Sequence, residues 1–405
     1  MTSDGPVGSA AEASRTPHAS TAPNASAGPH ALAAPDAASL VSAATRGPVH
    51  IVGAGLMGAS VGLGLTAHGI VVTLEDPSPT AQTVATQIGA GRIRRSDDPE
   101  PQLVVVAAPP DVTAAVVAAQ LERFGNAVVT DLASVKAIIL EEVGDLGADT
   151  SRYVGSHPMA GREKSGPAAA TGDLFVGRPW VIAPAPGARP EAVLRVRELA
   201  GDLGAHPAYL NAAAHDQAVA LVSHLPQVMS SLTAKRLVEA EPGALDLAGQ
   251  GLRDMTRIAV SDPSLWSTIL AGNAAAVATA LRRVREDLDQ AITALEAGAQ
   301  TDGRGRALVE LAQLVAAGAA GAQRIPGKHG GARRRFDRVT VMVPDRPGEM
   351  GRLFQEMGRL GVNLEDLALE HGAGQLVGLA EISVPEGAGQ ALSANLREQG
   401  WRIVE

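Results

Sequence analysis

The chain has 405 residues, beyond the length at which one hydrophobic core stops growing, so it divides into two or more domains. Its 43 acidic and 34 basic residues give a net charge of −9, which argues against a nucleic-acid partner, and the absence of cysteine excludes disulfides and thiolate chemistry and fits the cytoplasm. No run approaches the roughly 18 consecutive apolar residues of a membrane-spanning helix, so no membrane association is expected.

Residues 1–47 are mostly Ala, Pro, Ser, Thr and Gly, without the basic start and apolar run of a secretory signal, and read as a disordered tail. From Pro48 to about residue 188, strand-like apolar runs alternate with helical stretches. The expected strands are Val49 to Val52, Ile70 to Leu74, Leu103 to Ala107, Ala127 to Asp131, Tyr153 to Ser156 and Trp180 to Ala183. Such alternation predicts an α/β domain with a parallel sheet, and the continuous apolar runs suit strands covered on both faces.

The first strand ends in GAGLMG, with Gly53, Gly55 and Gly58 at the G-x-G-x-x-G positions and Leu56 and Met57 between them. At a strand-to-helix turn this pattern suits a dinucleotide pyrophosphate: one glycine makes the turn, one lets the phosphates approach, and one lets the helix pack. Glu75 closes the second strand 20 positions after Gly55, where a carboxylate accepts from ribose hydroxyls and repels a 2′-phosphate. NAD is therefore the expected cofactor of a Rossmann-type domain, with Asp76 the alternative ribose partner. Two further segments, DLASVK (131–136) and GSHPMAGREKSG (155–166), follow the fourth and fifth of these strands, at the edge where ligands bind in this fold class. His157, beside Pro158, is the candidate proton acceptor.

Residues 189–325 carry Ala- and Leu-rich helical patterns without strands and read as an all-helical domain. Trp266, Leu270, Asn273, Val277, Leu281, Val284 and Leu288 recur at heptad-like spacing on one expected helix, a seam that either packs within the subunit or forms a dimer interface. Pro226, two residues after His224 in VSHLPQV, should disturb its helix. Arg257 lies in a short helix that ends before a new start, with Asp262 as N-cap and Pro263 at the first position. Residues 326–336, rich in Gly and Arg, read as a linker. Residues 337–405 read βαββαβ, a ferredoxin-like pattern.

Taken in order, GAGLMG, DLASVK, GSHPMAG, SHLPQ and TRIAVSDPSLW resemble the prephenate/arogenate dehydrogenase family. The resemblance implies NAD-dependent oxidative decarboxylation of prephenate to 4-hydroxyphenylpyruvate, or of arogenate to tyrosine. It implies that His157 meets the ring hydroxyl, that Ser134 orients it, that His224 binds substrate and that Arg257 holds a substrate carboxylate. A guanidinium fork suits that last task. Glu163 and Lys164 are read as closing over the site, and Arg253 and Asp254 as ion pairs or pocket rim. A homodimer is expected from the family. Asp345, Arg346, Pro347 and Gly348, followed by a helix and GVNLEDL, resemble an ACT domain, which implies Gly348 and Asn363 around an amino-acid effector such as tyrosine, or a domain that only dimerises. Rival readings are a 3-hydroxy acid dehydrogenase acting through a lysine, whose motif is missing, and a non-catalytic sensor.

Overall fold

The structure, a computed structural model, describes residues 43–162, 164–300, 304–326, 336–371 and 377–404. The expected residue Glu163, most of the tail and most of the linker lie outside the described residues. Eight strands form one sheet: β1 (Val49–Val52), β2 (Val72–Glu75), β3 (Arg92–Ile93), β4 (Leu103–Val106), β5 (Val128–Asp131), β6 (Tyr153–Pro158), β7 (Pro179–Pro184) and β8 (His206–Tyr209). Their order is β3-β2-β1-β4-β5-β6-β7-β8, so the direction of winding reverses between β1 and β4. At such a switch point the C-terminal strand ends open a crevice.

Helices α1 (Leu56–Ala67), α2 (Pro79–Gln87), α3 (Pro110–Arg123), α4 (Ala137–Asp145) and α5 (Pro190–Asp202) connect the strands. The central strands are apolar on both sides. Val49 and Ile51 pack with Leu65 of α1 and Leu199 of α5, whereas Val104 and Val106 pack with Val117 of α3 and Ile139 of α4.

Two sequence expectations are corrected here. The sheet is not wholly parallel, because β7 runs antiparallel to β6. Among its described residues the intervening segment holds a 3-10 turn at Pro167–Ala169 and no crossover helix, and a parallel return would need one. Strands also do not cease at residue 189, since β8 pairs with β7 and α5 packs on the sheet. HPAY escaped notice because it is short and mostly exposed at the sheet edge.

Helices α6 (Ala212–Val219), α7 (Leu225–Arg236), α8 (Pro242–Leu245), α9 (Gln250–Thr256), α10 (Pro263–Gly272), α11 (Ala274–Gly298) and α12 (Arg304–Gln323) follow. Between α6 and α7 the chain makes a π turn over Ala220–His224, and Pro226, lacking an N–H, sits in the first turn of α7 as its sequence suggests. Asp262 caps α10 by accepting from Leu265 N–H at 2.9 Å. The heptad seam does not lie on one helix: α10 and α11 meet at 93° around Asn273. Of its 25 residues α11 buries only Val277 and Ala294, and Leu288 is 55% exposed. No single helix among the described residues is long and apolar enough to cross a membrane.

The C-terminal strands β9 (Phe336–Pro344), β10 (Asp366–His371), β11 (Val377–Pro385) and β12 (Arg402–Val404) form an antiparallel sheet in the order β10-β11-β9-β12, with α13 (Glu349–Arg359) after β9 and α14 (Gly389–Glu398) after β11. This is the expected ferredoxin-like arrangement. Its alternating strand faces close over Leu353, Met357, Leu392 and Leu396.

Ile51 is fully buried one residue before the end of β1, so Ile51→Ala should cost about 2–5 kcal/mol and lower the denaturant midpoint of the sheet domain.

Candidate active site

The three glycines of the first turn have three different surroundings. Gly53 sits at φ 102°, and a Cβ there would lie 2.3 Å from the carbonyl oxygen of Ala107, just past β4. A Cβ on Gly58 would lie 1.9 Å from the carbonyl oxygen of Gly53, so only glycine lets α1 pack this closely. At Gly55 an added Cβ would meet nothing within 4 Å. That open side adjoins the N-terminal N–H groups of α1, where a pyrophosphate fits. Leu56 and Met57 open α1 and lean on the core beneath it.

The two acids after β2 part company. Glu75 accepts from Arg123 at 2.8 Å and meets Nε2 of His50 at 3.3 Å, across the buried surface of β1. Burial opposes its charge, but Arg123 and His50 hold the carboxyl below its usual range. Asp76 instead accepts from Ala54 N–H at 2.7 Å and Ser78 N–H at 2.8 Å, which sets its carboxylate against the glycine turn.

At the far side of the crevice, β5 ends in Asp131. One oxygen accepts from Ala133 N–H at 2.9 Å and from the Lys136 ammonium, and the other accepts from the Tyr153 hydroxyl at 2.7 Å. Lys136 is buried, and burial pulls its pKa down against the attraction of Asp131. Ser134 lies half-buried in the same turn and has no hydrogen bond among the described residues.

His157 is the penultimate residue of β6 rather than part of the loop beyond it. Its Nδ1 lies 2.9 Å from Nε2 of His215, and Nδ1 of His215 lies 2.7 Å from Oδ1 of Asp216. Burial, reinforced by the charges of His215, Lys136 and His224, pushes the pKa of His157 well below the ordinary histidine value, so the ring is neutral near pH 7. His224 is buried at the end of the π turn, its Nδ1 3.2 Å from the amide nitrogen of Asn273, with the Trp266 ring edge-on at 6.1 Å. Asn273 also donates to the carbonyl oxygen of Asp216 at 2.7 Å, so it joins His224 to the same cluster. Burial lowers the pKa of His224, and Asp216 opposes that shift.

Arg257 stands in a 3-10 turn, Arg257–Ala259, that packs against α7, and Ser261 links the turn to Gln227 of α7 at 3.5 Å. It is exposed, and α7, against which its turn packs, begins directly after His224. His157, His215, Asp216, Asn273 and His224 therefore form one cluster, with Ser134 in the turn after β5 and Arg257 in the turn packed on α7. Lys164 is exposed in the loop after β6. In the C-terminal unit, Gly348 is left-handed at φ 91° before α13, and Asn363 follows that helix, donating to Glu365 at 2.8 Å. They stand at opposite ends of α13, roughly 16 Å apart by helix rise, so one copy does not bring them together.

Sequence reasoning missed His215 and Asp216. The available signal was an adjacent His–Asp pair in an otherwise Ala-rich helix, nine positions before His224. Asn273 was read as a seam residue, but it works as a polar bracket where α10 turns into α11.

The model of the prephenate dehydrogenase nucleotide-binding domain matches residues 61–209, and that of the prephenate dehydrogenase dimerization domain matches residues 211–313. A protein described as probable prephenate dehydrogenase NovF from Streptomyces niveus is 37% identical over 358 residues, covering 87% of this chain and 98% of its own. The chain belongs to the prephenate dehydrogenase family. A prephenate dehydrogenase from Bacillus subtilis is 25% identical, over 82% of this chain and 91% of its own. Among solved structures, A. aeolicus prephenate dehydrogenase, in complex with hydroxyphenyl propionate and NAD+, superposes with a TM-score of 0.59 at 26% identity, over 68% of this chain and 97% of that one. Synechocystis arogenate dehydrogenase gives 0.56 at 26% identity, over 68% and 99%.

His50, fully buried, has its pKa lowered from 6.5 to about 4, chiefly by burial, with Glu75 opposing and Arg94 and Arg123 assisting. The unfolded imidazole takes a proton near 6.5 and the folded one only near 4, so stability should fall as pH drops through that window, by up to about 3 kcal/mol. Thermal unfolding at neutral pH and near pH 4 should show a smaller acid-induced drop in His50→Gln than in the native chain.

Proposed function

We propose that this chain catalyses the NAD-dependent oxidative decarboxylation of prephenate to 4-hydroxyphenylpyruvate. The single observation that carries the chemistry is the neutral, hydrogen-bonded His157 at the C-terminal end of β6, on the same sheet edge as the open glycine turn after β1. The relatives described as prephenate dehydrogenases support the substrate class.

In this reading His157 takes the proton of the ring hydroxyl while Ser134 orients that hydroxyl. The O–H electron pair forms the ring carbonyl as the C4 hydrogen leaves as hydride, for which bound nicotinamide is the acceptor. Loss of the ring carboxylate as CO2 then leaves its electron pair in the ring, which becomes aromatic. His224, Arg257 and Glu163 hold the substrate, the arginine by a charge-assisted bond to a carboxylate. Gly53, Gly55, Leu56, Met57 and Gly58 form the pyrophosphate turn. For the adenosine ribose, Asp76 is the better-placed acid, because its carboxylate lies against the glycine turn whereas Glu75 turns toward Arg123 and His50.

Arogenate is the second substrate reading, supported by the likeness to the Synechocystis arogenate dehydrogenase. The two substrates differ only in a side-chain keto or amino group. The active species is a cytoplasmic homodimer. Its support is the dimerization-domain match together with the exposed Leu288, Ile292 and Leu295 along α11, an apolar stripe that a second copy would cover. The C-terminal unit is an ACT-type sensor in which the Gly348 turn of one copy and Asn363 of the other enclose tyrosine, a feedback inhibitor.

Purified protein with NAD should produce NADH from prephenate, less from arogenate, and added tyrosine should slow it. His157→Asn should lower kcat about 100-fold or more with NAD affinity unchanged. Native turnover in that variant, or no oxidation of either substrate, would refute the assignment. Leu288→Arg should shift the protein to monomer in sedimentation, because it places a charge in the apolar stripe.

A further inference from the structure

The side chains around His157 determine where each of its nitrogens can hold a proton. The ionised Asp216 can only accept, so Nδ1 of His215, 2.7 Å away, must donate to it. When His215 donates from Nδ1 and carries a lone pair on Nε2, Nδ1 of His157, 2.9 Å from that atom, is the donor between the two rings. His157 is left with its lone pair on Nε2, and no group among the described residues bonds to that atom. The chain thus prepares one specific nitrogen to accept a proton.

Asp216 is itself held ionised. Its Oδ1 accepts from Lys136 N–H at 2.9 Å as well as from His215, and its Oδ2 accepts from Ala137 N–H at 2.8 Å. These are the first free N–H groups of α4, whose nine residues point their positive dipole end at the carboxylate. Burial opposes the charge, yet His215 and the two amides keep the carboxyl below its usual range.

We infer that His215 and Asp216 are positioning residues that form a relay, receiving the proton that His157 removes from the substrate hydroxyl. The inference rests on the reading of His157 as the proton acceptor. As the substrate O–H breaks, an N–H forms at Nε2 of His157. The N–H at Nδ1 of His157 breaks as one forms at Nε2 of His215. The positive charge therefore comes to rest on His215, against the Asp216 carboxylate, instead of on the ring that faces substrate.

The groups facing the relay agree with this direction. His157 sees His215 from α6, the Lys136 ammonium beside β5 and His224 from the π turn, all of which disfavour charge on its ring. The ammonium is balanced by Asp131, which also accepts from Tyr153. Of the three histidines in the cluster, His157, His215 and His224, His215 is the one that hydrogen-bonds a carboxylate among the described residues. Asn273 fixes the backbone of Asp216 and the ring of His224 together, so the relay and the second histidine keep a common geometry.

The test uses full-length His215→Asn, His215→Gln, Asp216→Asn and His157→Asn proteins with prephenate and NAD. If the relay operates, both His215 variants lose about 10-fold or more in kcat with KM unchanged. The acidic limb of kcat/KM moves to lower pH, because a proton on His157 no longer shares its charge with the Asp216-stabilised site. A proton inventory in mixed H2O and D2O, curved for the native enzyme, becomes linear. Asp216→Asn follows the same pattern with a lower thermal midpoint, since α4 loses its anchor. His215→Gln keeps a polar group in place, so if His215→Asn fails to fold, the Gln variant decides: a native rate overturns the relay and a reduced rate supports it. Native kcat and an unmoved acidic limb in His215→Asn, with His157→Asn inactive, overturn the relay alone. Native turnover in His157→Asn overturns the His157 assignment and the relay with it.

Discussion

Both oxygens of the Asp216 carboxylate are bound by the first turn of α4, and one of them also holds His215. This junction is the constraint on which the rest of the site depends. Helix α4 belongs to the sheet layer through Ile139 and Val143, whereas Asp216 belongs to α6, the first helix after the sheet. A buried carboxylate loses hydration worth several kcal/mol unless it is fully hydrogen-bonded, so few arrangements of α6 on α4 satisfy it. The position of His215 against His157 follows from that requirement.

The glycine turn works by the opposite principle. There the chain removes side chains so that backbone can approach backbone at Gly53 and Gly58, and leaves open space only at Gly55. The result is a rigid turn with one vacant side, set by the fully buried strands β1 and β4. Asp76 braces the turn through Ala54 N–H, which makes the acid after β2 part of its construction. Glu75, one residue earlier, turns instead to the buried ring of His50 and to Arg123, which is half-exposed and stacks on the Phe124 ring.

The helical half shows what an incomplete core looks like. Long helices α11 and α12 bury three residues between them, Val277, Ala294 and Ala307, and expose Leu288, Ile292, Leu295, Leu308 and Leu314. A groove of about 840 Å3 along α4, α6 and α11 reaches Asp216 and Asn273 but not His157. Packing of a second copy on these helices would therefore bear on the outer side of the carboxylate junction.

The sequence by itself determined the architecture and the separate pieces of the site. Apolar runs of strand length, G-x-G-x-x-G at the first turn, the Asp262–Pro263 helix start and the βαββαβ pattern at the C-terminus are local signals, and local signals are set by backbone geometry within a few residues. Ser134, His157, His224 and Arg257 stand out as candidates because each lies in a short distinctive segment. Tertiary structure decided what no local pattern carries. The antiparallel β7 depends on the absence of a crossover helix, and the bend at Asn273 on polar partners brought from α6 and the π turn. The His157–His215–Asp216 chain joins His157 to a residue 58 positions away, and its carboxylate end is held by His215 together with the amides of α4. Hydrogen-bond direction is a property of neighbours in space, and sequence spacing does not encode it.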